Sequence, residues 1–172
     1  MFLKPLSLNE QVGTDLVQRE VQRVDPGILS FFEDLLKGGS DLRVRVTGRS
    51  MTPFLRGGEV LTLRRVESSS LKRGDLIFFR GRDGYPILHR LIQTIRRKSG
   101  AIDFRTKGDA LIAFDEPVQQ HDVLAKVCII EKGTKSIDLE TGIWNRLNGL
   151  IAVMSLFRTR LSFTLHALRN LV

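Results

Sequence analysis

The sequence has a single cysteine, Cys128, in 172 residues. That excludes an intramolecular disulfide framework, and with no CxxC pair or Cys/His cluster there is no structural zinc signature. No metal and no cofactor is expected. Long apolar runs are also missing. The longest uncharged stretch of apolar character, Leu147 to Phe157, is 11 residues. At ~1.5 Å per helical residue it cannot span a hydrocarbon core of ~30 Å. The opening residues, Met1 to Glu10, carry one lysine and a broken apolar run rather than the apolar centre of a signal peptide. Neither a membrane-spanning anchor nor a leader is expected, which points to a cytoplasmic or peripherally membrane-associated protein. Internal repeats and low-complexity tracts are absent. Acidic residues stop at Glu140, while Arg146, Arg158, Arg160 and Arg169 follow it.

What remains is ordinary for a soluble globular protein, with 42% hydrophobic and 27% charged residues. The length suits one compact body with appended segments. The formal charge of +8 favours acidic partners, either nucleic acid or an anionic membrane surface.

Three parts follow from the changing period of the apolar residues. Residues 1–40 read as a helical, polar segment. Asp25-Pro26 places an acidic cap before a first-turn proline, Ile28, Phe31, Phe32, Leu35 and Leu36 recur at helical spacing, and Gly38-Gly39 stops the helix. Residues 41–132 switch to period two. Leu42, Val44 and Val46 alternate with Arg43 and Arg45, and short β-like runs follow at Glu59–Arg65, Asp75–Arg80, Pro86–Ile95, Ile102–Arg105 and Val123–Ile130. Many short strands between glycine turns predict a mainly β body, a barrel or sandwich-like sheet, with flanking helices. Residues 133–172 form a C-terminal arm, helical from about 143. Trp144, Leu147, Ile151, Met154, Leu161, Leu165 and Leu168 make one stripe. That stripe fits packing on the β body or a second subunit, and equally a basic amphipathic helix on an anionic membrane.

Among the polar residues, Ser50 stands out by its setting. It follows the Leu42–Val46 strand in the run Thr47-Gly48-Arg49-Ser50-Met51-Thr52-Pro53, with Leu55 and the Gly57-Gly58-Glu59 turn beyond. Gly48 permits a sharp bend that leaves Ser50 exposed, with its backbone N–H free to help bind an oxyanion. A serine is a poor nucleophile until a neighbouring base takes its proton. His89, alternating with Ile87 and Leu91 on one strand face, is the candidate base. A histidine of ordinary pKa, ~6.5, is largely neutral near pH 7 and accepts a proton without a large shift. His121, in a polar turn, and His166, in the C-terminal helix, have no second metal ligand at useful spacing.

Four segments in order resemble the boxes of signal peptidases, mitochondrial inner-membrane peptidases and LexA-like self-cleaving proteins. Gly48-x-Ser50-Met51-x-Pro53-x-Leu55-x-x-Gly58 resembles the nucleophile box, and Leu71-Lys72-Arg73-Gly74-Asp75-Leu76-Ile77-Phe78-Phe79 the Gly-Asp turn into a strand. Ile87-Leu88-His89-Arg90-Leu91-Ile92 resembles the general-base box, and Thr106-Lys107-Gly108-Asp109 with Asp115 the last one. Order and spacing agree through about residues 44–130. Histidine at the base position resembles the endoplasmic-reticulum and archaeal signal peptidases, where typical bacterial and LexA-like members have lysine.

The resemblance implies a LexA/signal-peptidase-like coiled β body and a serine endopeptidase that acts on a polypeptide substrate, with small residues preferred near the cleaved bond. Ser50 is then the nucleophile and His89 the base. Asp109 and Asp115 both match positions that supply the orienting acid, and Asp109 also fits an ordinary Gly-Asp turn. Lys107 is a fallback base, though a lysine in a polar turn should stay protonated and solvated. Met51 and Pro53 become candidate substrate contacts. The position that can supply an oxyanion-stabilising serine hydroxyl is Gly48, so the Ser50 N–H must serve, helped by Thr47 or Thr52. Without an anchor, secretory signal-peptide removal is less expected than peptidase chemistry itself.

Two other functions fit parts of the sequence. In LexA-like regulation the domain would cleave its own N-terminal part. The common Ala-Gly dipeptide is absent, leaving the neighbourhoods of Gly13-Thr14 and Gly39-Ser40. A non-catalytic basic module binding nucleic acid ranks lower, because the basic residues are scattered and no aromatic-rich RNA-binding pattern accompanies them.

Overall fold

Alternation of apolar and charged residues decides the first long strand pair. The computed structural model of the chain describes residues 3–5 and 26–169, with side chains from Gly27 to Leu156 apart from Asn145. Strand β2 (Leu42–Val46) buries Leu42, Val44 and Val46 and exposes its arginines. It pairs with β3 (Val60–Arg64) through Leu42↔Leu63 to Arg45↔Val60. The body continues through β4 (Leu76–Arg80), β5 (Pro86–Arg96), β6 (Ile102–Lys107), β7 (Val118–Gln119), β8 (Val123–Lys132) and β9 (Lys135–Asp138). The described strands join one sheet in the order β1-β2-β3-β8-β4-β5-β6-β7, where β1 is Leu3–Pro5, and β9 pairs with β8. Every pairing is antiparallel. The fold is therefore mainly β, as period two predicts.

Both faces of the central strands are covered, so β4 buries four residues in a row. Leu76, Phe78 and Leu88 enter one apolar cluster; Ile77, Phe79, Ile87 and Leu91 enter the other. Helix α1 (Pro26–Lys37) closes the first cluster with Leu29, Phe32 and Leu36, and Phe32 meets Phe78 at 6.2 Å between ring centroids. It ends where the glycine pair predicts. The Ser40 N–H bonds the Leu35 carbonyl and the Gly39 N–H that of Leu36, with Gly39 at φ 82°, a Schellman close.

Three expectations need correction. Residues 1–40 are not helical throughout, because Leu3–Pro5 is a strand paired with Val44–Val46; the expected helical character of 6–25 lies outside the described residues, as does Gly13-Thr14. The sheet also runs past residue 132, because β9 folds back on β8. Third, helix α2 (Gly142–Arg169) does pack on the β body, but not through the predicted stripe. Its buried residues are Asn148, Ala152 and Ser155, while Met154 is 69% exposed. Trp144 alone of the stripe's described members meets an aromatic ring of the body, Phe54 at 6.5 Å. No described helix is long and apolar enough to cross a membrane.

Candidate active site

The loop after β2 must turn sharply to bring a serine back over the sheet, and Gly48 makes that turn at φ 105°. Met51 anchors the far side. It is fully buried in the main cluster with Leu55, and the Leu55 N–H bonds its carbonyl. Met51 therefore holds the loop down from inside and does not face a substrate, contrary to the expected contact role. Pro53 is exposed. Glu59 closes the loop: its carboxylate accepts the backbone N–H groups of Arg56 and Gly57 at 2.9 and 2.8 Å. Burial works against that charge, but these amides together with nearby Lys132 hold its pKa below the usual carboxylate value.

The Ser50 carbonyl is fixed from the opposite side by the Ala110 N–H at 2.8 Å. The approach leaves no room for a side chain at Gly108, where a Cβ would sit 2.7 Å from the Ser50 oxygen. Gly108 is thus a packing requirement of the Ser50 loop.

With the loop so held, Ser50 Oγ lies 3.0 Å from His89 Nε2. His89 Nδ1 lies 2.7 Å from Asp115 Oδ2, and that oxygen also accepts the Thr106 hydroxyl at 2.6 Å. The Asp115 N–H bonds the Thr106 carbonyl, so β6 fixes both backbone and side chain of the acid. His89 is buried, Ser50 half-buried. Serine, imidazole and carboxylate stand in hydrogen-bonded series, which is the arrangement that activates a serine hydroxyl.

Asp109 is elsewhere. Both its oxygens are held by Arg90, with Nε at 2.8 Å and Nη2 at 2.7 Å, and Arg90 is wholly buried. Arg90 Nη1 also donates to the Gly74 carbonyl at 2.9 Å and to Asn148 Oδ1 on α2 at 3.3 Å, and its guanidinium lies 4.8 Å from the centre of the Phe54 ring. Of the two carboxylates left open by the sequence, Asp115 meets His89 and Asp109 does not. Lys107 also departs from expectation. It is fully buried rather than solvated, and its ammonium donates to the carbonyls of Leu111 at 2.7 Å and Ser155 at 3.2 Å.

Sequence reasoning missed Thr106 and Arg90. The threonine had a weak signal, being one residue across the pleat from Lys107 within the last box. The arginine had none, since an isolated arginine is ordinarily read as exposed. A cavity of about 520 Å³ lined by Ser69, Lys72, Asp75, Lys126 and Glu140 shares no lining residue with the Ser50–His89–Asp115 series. Among the described residues no cluster could hold a metal ion.

No protein-family model matches the chain. It is 35% identical over 77 residues to the signal peptidase complex catalytic subunit SEC11C of Homo sapiens, and equally to those of Mus musculus and Canis lupus familiaris. The match covers 44% of this chain and 40% of each relative, so the chain spans less than half the length of the curated relatives it matches. Over that stretch it is signal-peptidase-like.

Proposed function

We propose that this protein is a serine endopeptidase of the signal-peptidase kind, with Ser50 as nucleophile, His89 as general base and Asp115 as the carboxylate that orients the base. The observation that carries the reading is His89 itself, within hydrogen-bond reach of Ser50 Oγ on one nitrogen and Asp115 on the other. Asp115 accepts a proton-bearing Nδ1, which leaves Nε2 as the lone-pair nitrogen facing the serine. Nε2 takes the Ser50 proton as Oγ attacks a peptide carbonyl. The oxyanion is met by the Ser50 backbone N–H, since Gly48 offers no side-chain donor. His89 returns the proton to the leaving amine, and water then releases the acyl group by the same base. The substrate is a polypeptide, with small residues beside the cleaved bond by analogy with the family resembled.

The test is cleavage of a mixed-sequence peptide library, read by mass spectrometry, with wild type against Ser50→Ala and His89→Ala. Cleavage by wild type alone, enriched after small residues, supports the proposal. Cleavage that survives Ser50→Ala, or a folded wild type that cleaves nothing, overturns it.

A further inference from the structure

The loop that joins β6 to β7 is apolar where a loop is usually polar. Its residues Ala110 to Phe114 carry no polar side chain, and Leu111 and Ile112 stand at 41% and 49% exposure. Among the described residues they are the only large apolar side chains left exposed outside the two helices. The loop is also pinned. The Ala110 N–H bonds the Ser50 carbonyl, the Leu111 N–H that of Gly108, and the Asp115 N–H that of Thr106. The Lys107 ammonium holds the Leu111 carbonyl at 2.7 Å. Phe114 is covered by the Arg105 guanidinium, 4.6 Å from its ring centre. Leu111 and Ile112 are thus presented to solvent by a fixed backbone.

Both ends of this run touch the candidate catalytic residues. Ala110 holds the Ser50 backbone at one end, and Asp115 bonds His89 at the other. A Cβ on Gly108 would lie 2.7 Å from the Ser50 carbonyl oxygen and 3.0 Å from both Cγ and Cδ1 of Leu111. The Leu111 side chain therefore neighbours the nucleophile's backbone across a single glycine. Size and charge decide the occupant. Two side chains are far too few for a stable interface between folded partners, which needs about 800 Å² a side. From Gly108 to Val118 the loop holds three carboxylates and no cation, whereas an anionic membrane surface is met by basic residues. An extended peptide needs only main-chain contacts and a place for one or two side chains. We propose that Leu111 and Ile112 form a specificity-determining subsite, which takes a bulky apolar side chain of the polypeptide substrate a few residues from the cleaved bond. This rests on the peptidase reading and adds a second requirement to the small residues beside that bond.

The test separates the subsite from the chemistry. In the mixed-sequence peptide library, wild-type cuts should be enriched about tenfold in Leu, Ile, Val or Phe at one fixed distance from the cleaved bond. Leu111→Gln/Ile112→Gln should lose that enrichment, and Ile112→Arg should replace it with Asp and Glu, a redirection that a merely structural role would not produce. Both variants should melt within a few degrees of wild type, because the side chains are exposed. The same preference should appear among peptides captured by Ser50→Ala, which binds without cutting. Cleavage with no apolar preference, or with one that both variants keep, overturns the subsite and leaves the peptidase reading standing. If wild type cuts nothing, the peptidase reading falls and capture decides the subsite: peptides held through the same apolar position sustain it, and no capture overturns it. Flotation on phosphatidylglycerol vesicles that the double variant loses, with no apolar preference among peptides, also overturns it.

Discussion

Replacing Asp115 and Asp109 separately by asparagine should divide catalysis from stability. In Asp115→Asn the amide can turn its NH₂ toward His89 Nδ1, which must then accept rather than donate. The imidazole proton moves to Nε2 and points at Ser50 Oγ, 3.0 Å away, so the base has no lone pair for the serine. Loss of the tautomer and of the charge facing the imidazolium should lower kcat/KM about 10³- to 10⁴-fold, or roughly 4–5.5 kcal/mol of transition-state stabilisation. The site stays assembled, because the Thr106 hydroxyl faces the same atom as His89 and can accept from the amide NH₂ where it donated to Oδ2, so the melting temperature should move little. Asp109→Asn does the reverse. It leaves the Arg90 guanidinium, wholly buried, without its bidentate partner, at a cost of about 3–5 kcal/mol in folding stability. Activity per folded molecule should remain within about tenfold of wild type. The assay is hydrolysis of a peptide identified from the library, beside urea unfolding of each variant. If Asp109→Asn abolishes turnover in a stable protein while Asp115→Asn leaves it intact, the assignment of the orienting acid is wrong.

Gly108→Ala should lower kcat/KM by about 10- to 100-fold, since its methyl would force the Ser50 carbonyl from a 2.7 Å approach and misplace the nucleophile; activity equal to wild type would refute that role. Glu59 has a depressed pKa, so its share of stability is complete above the unfolded value and lost as pH falls through the folded one. Urea midpoints measured downward from neutral pH should therefore fall less steeply in Glu59→Gln than in wild type, and parallel slopes would count against it. The Cys128 thiol is pushed up to about 12 by burial and by the Glu140 carboxylate. Iodoacetamide should label it about a thousandfold more slowly in the native protein than after denaturation, and comparable rates would place it at the surface.

Most of the longer strands were legible, some through an alternation that only one register satisfies and others through the glycines that bound them. Leu42–Val46 is a plain example, and Leu76–Phe79 was found by its glycine boundaries although both of its faces are buried. Leu3–Pro5 and Lys135–Asp138 were not, since neither alternates and each is a strand only through the neighbour it pairs with. Ser50 and His89 were legible as members of boxes. The choice between Asp109 and Asp115 was not, because it turns on which carboxylate Arg90 claims, a contact between residues 19 positions apart. Met51 was misread for a related reason. A motif marks a residue as necessary, but not whether it is needed in the groove or in the core beneath it.

The same ambiguity explains α2. A stripe of leucines suggests the face that packs, yet here the demand comes from the sheet. Antiparallel pairing sets Arg90 opposite Lys107, so both cations leave the sheet on one side, while their neighbours His89 and Thr106 turn to the other and meet Asp115. Two buried cations need acceptors close at hand. Asp109 supplies two oxygens to Arg90, and α2 supplies Asn148 Oδ1 to Arg90 and the Ser155 carbonyl to Lys107. Only a helix face with small and polar residues can come near enough to do that, which leaves Ile143, Leu150 and Met154 outward. Each of the dipeptides His89-Arg90 and Thr106-Lys107 thus divides its work, one residue bonding Asp115 and the next tying the strand to α2 from behind. A perturbation of α2 on its docked face should therefore reach the site through β5 and β6, whereas one on its outer face should not.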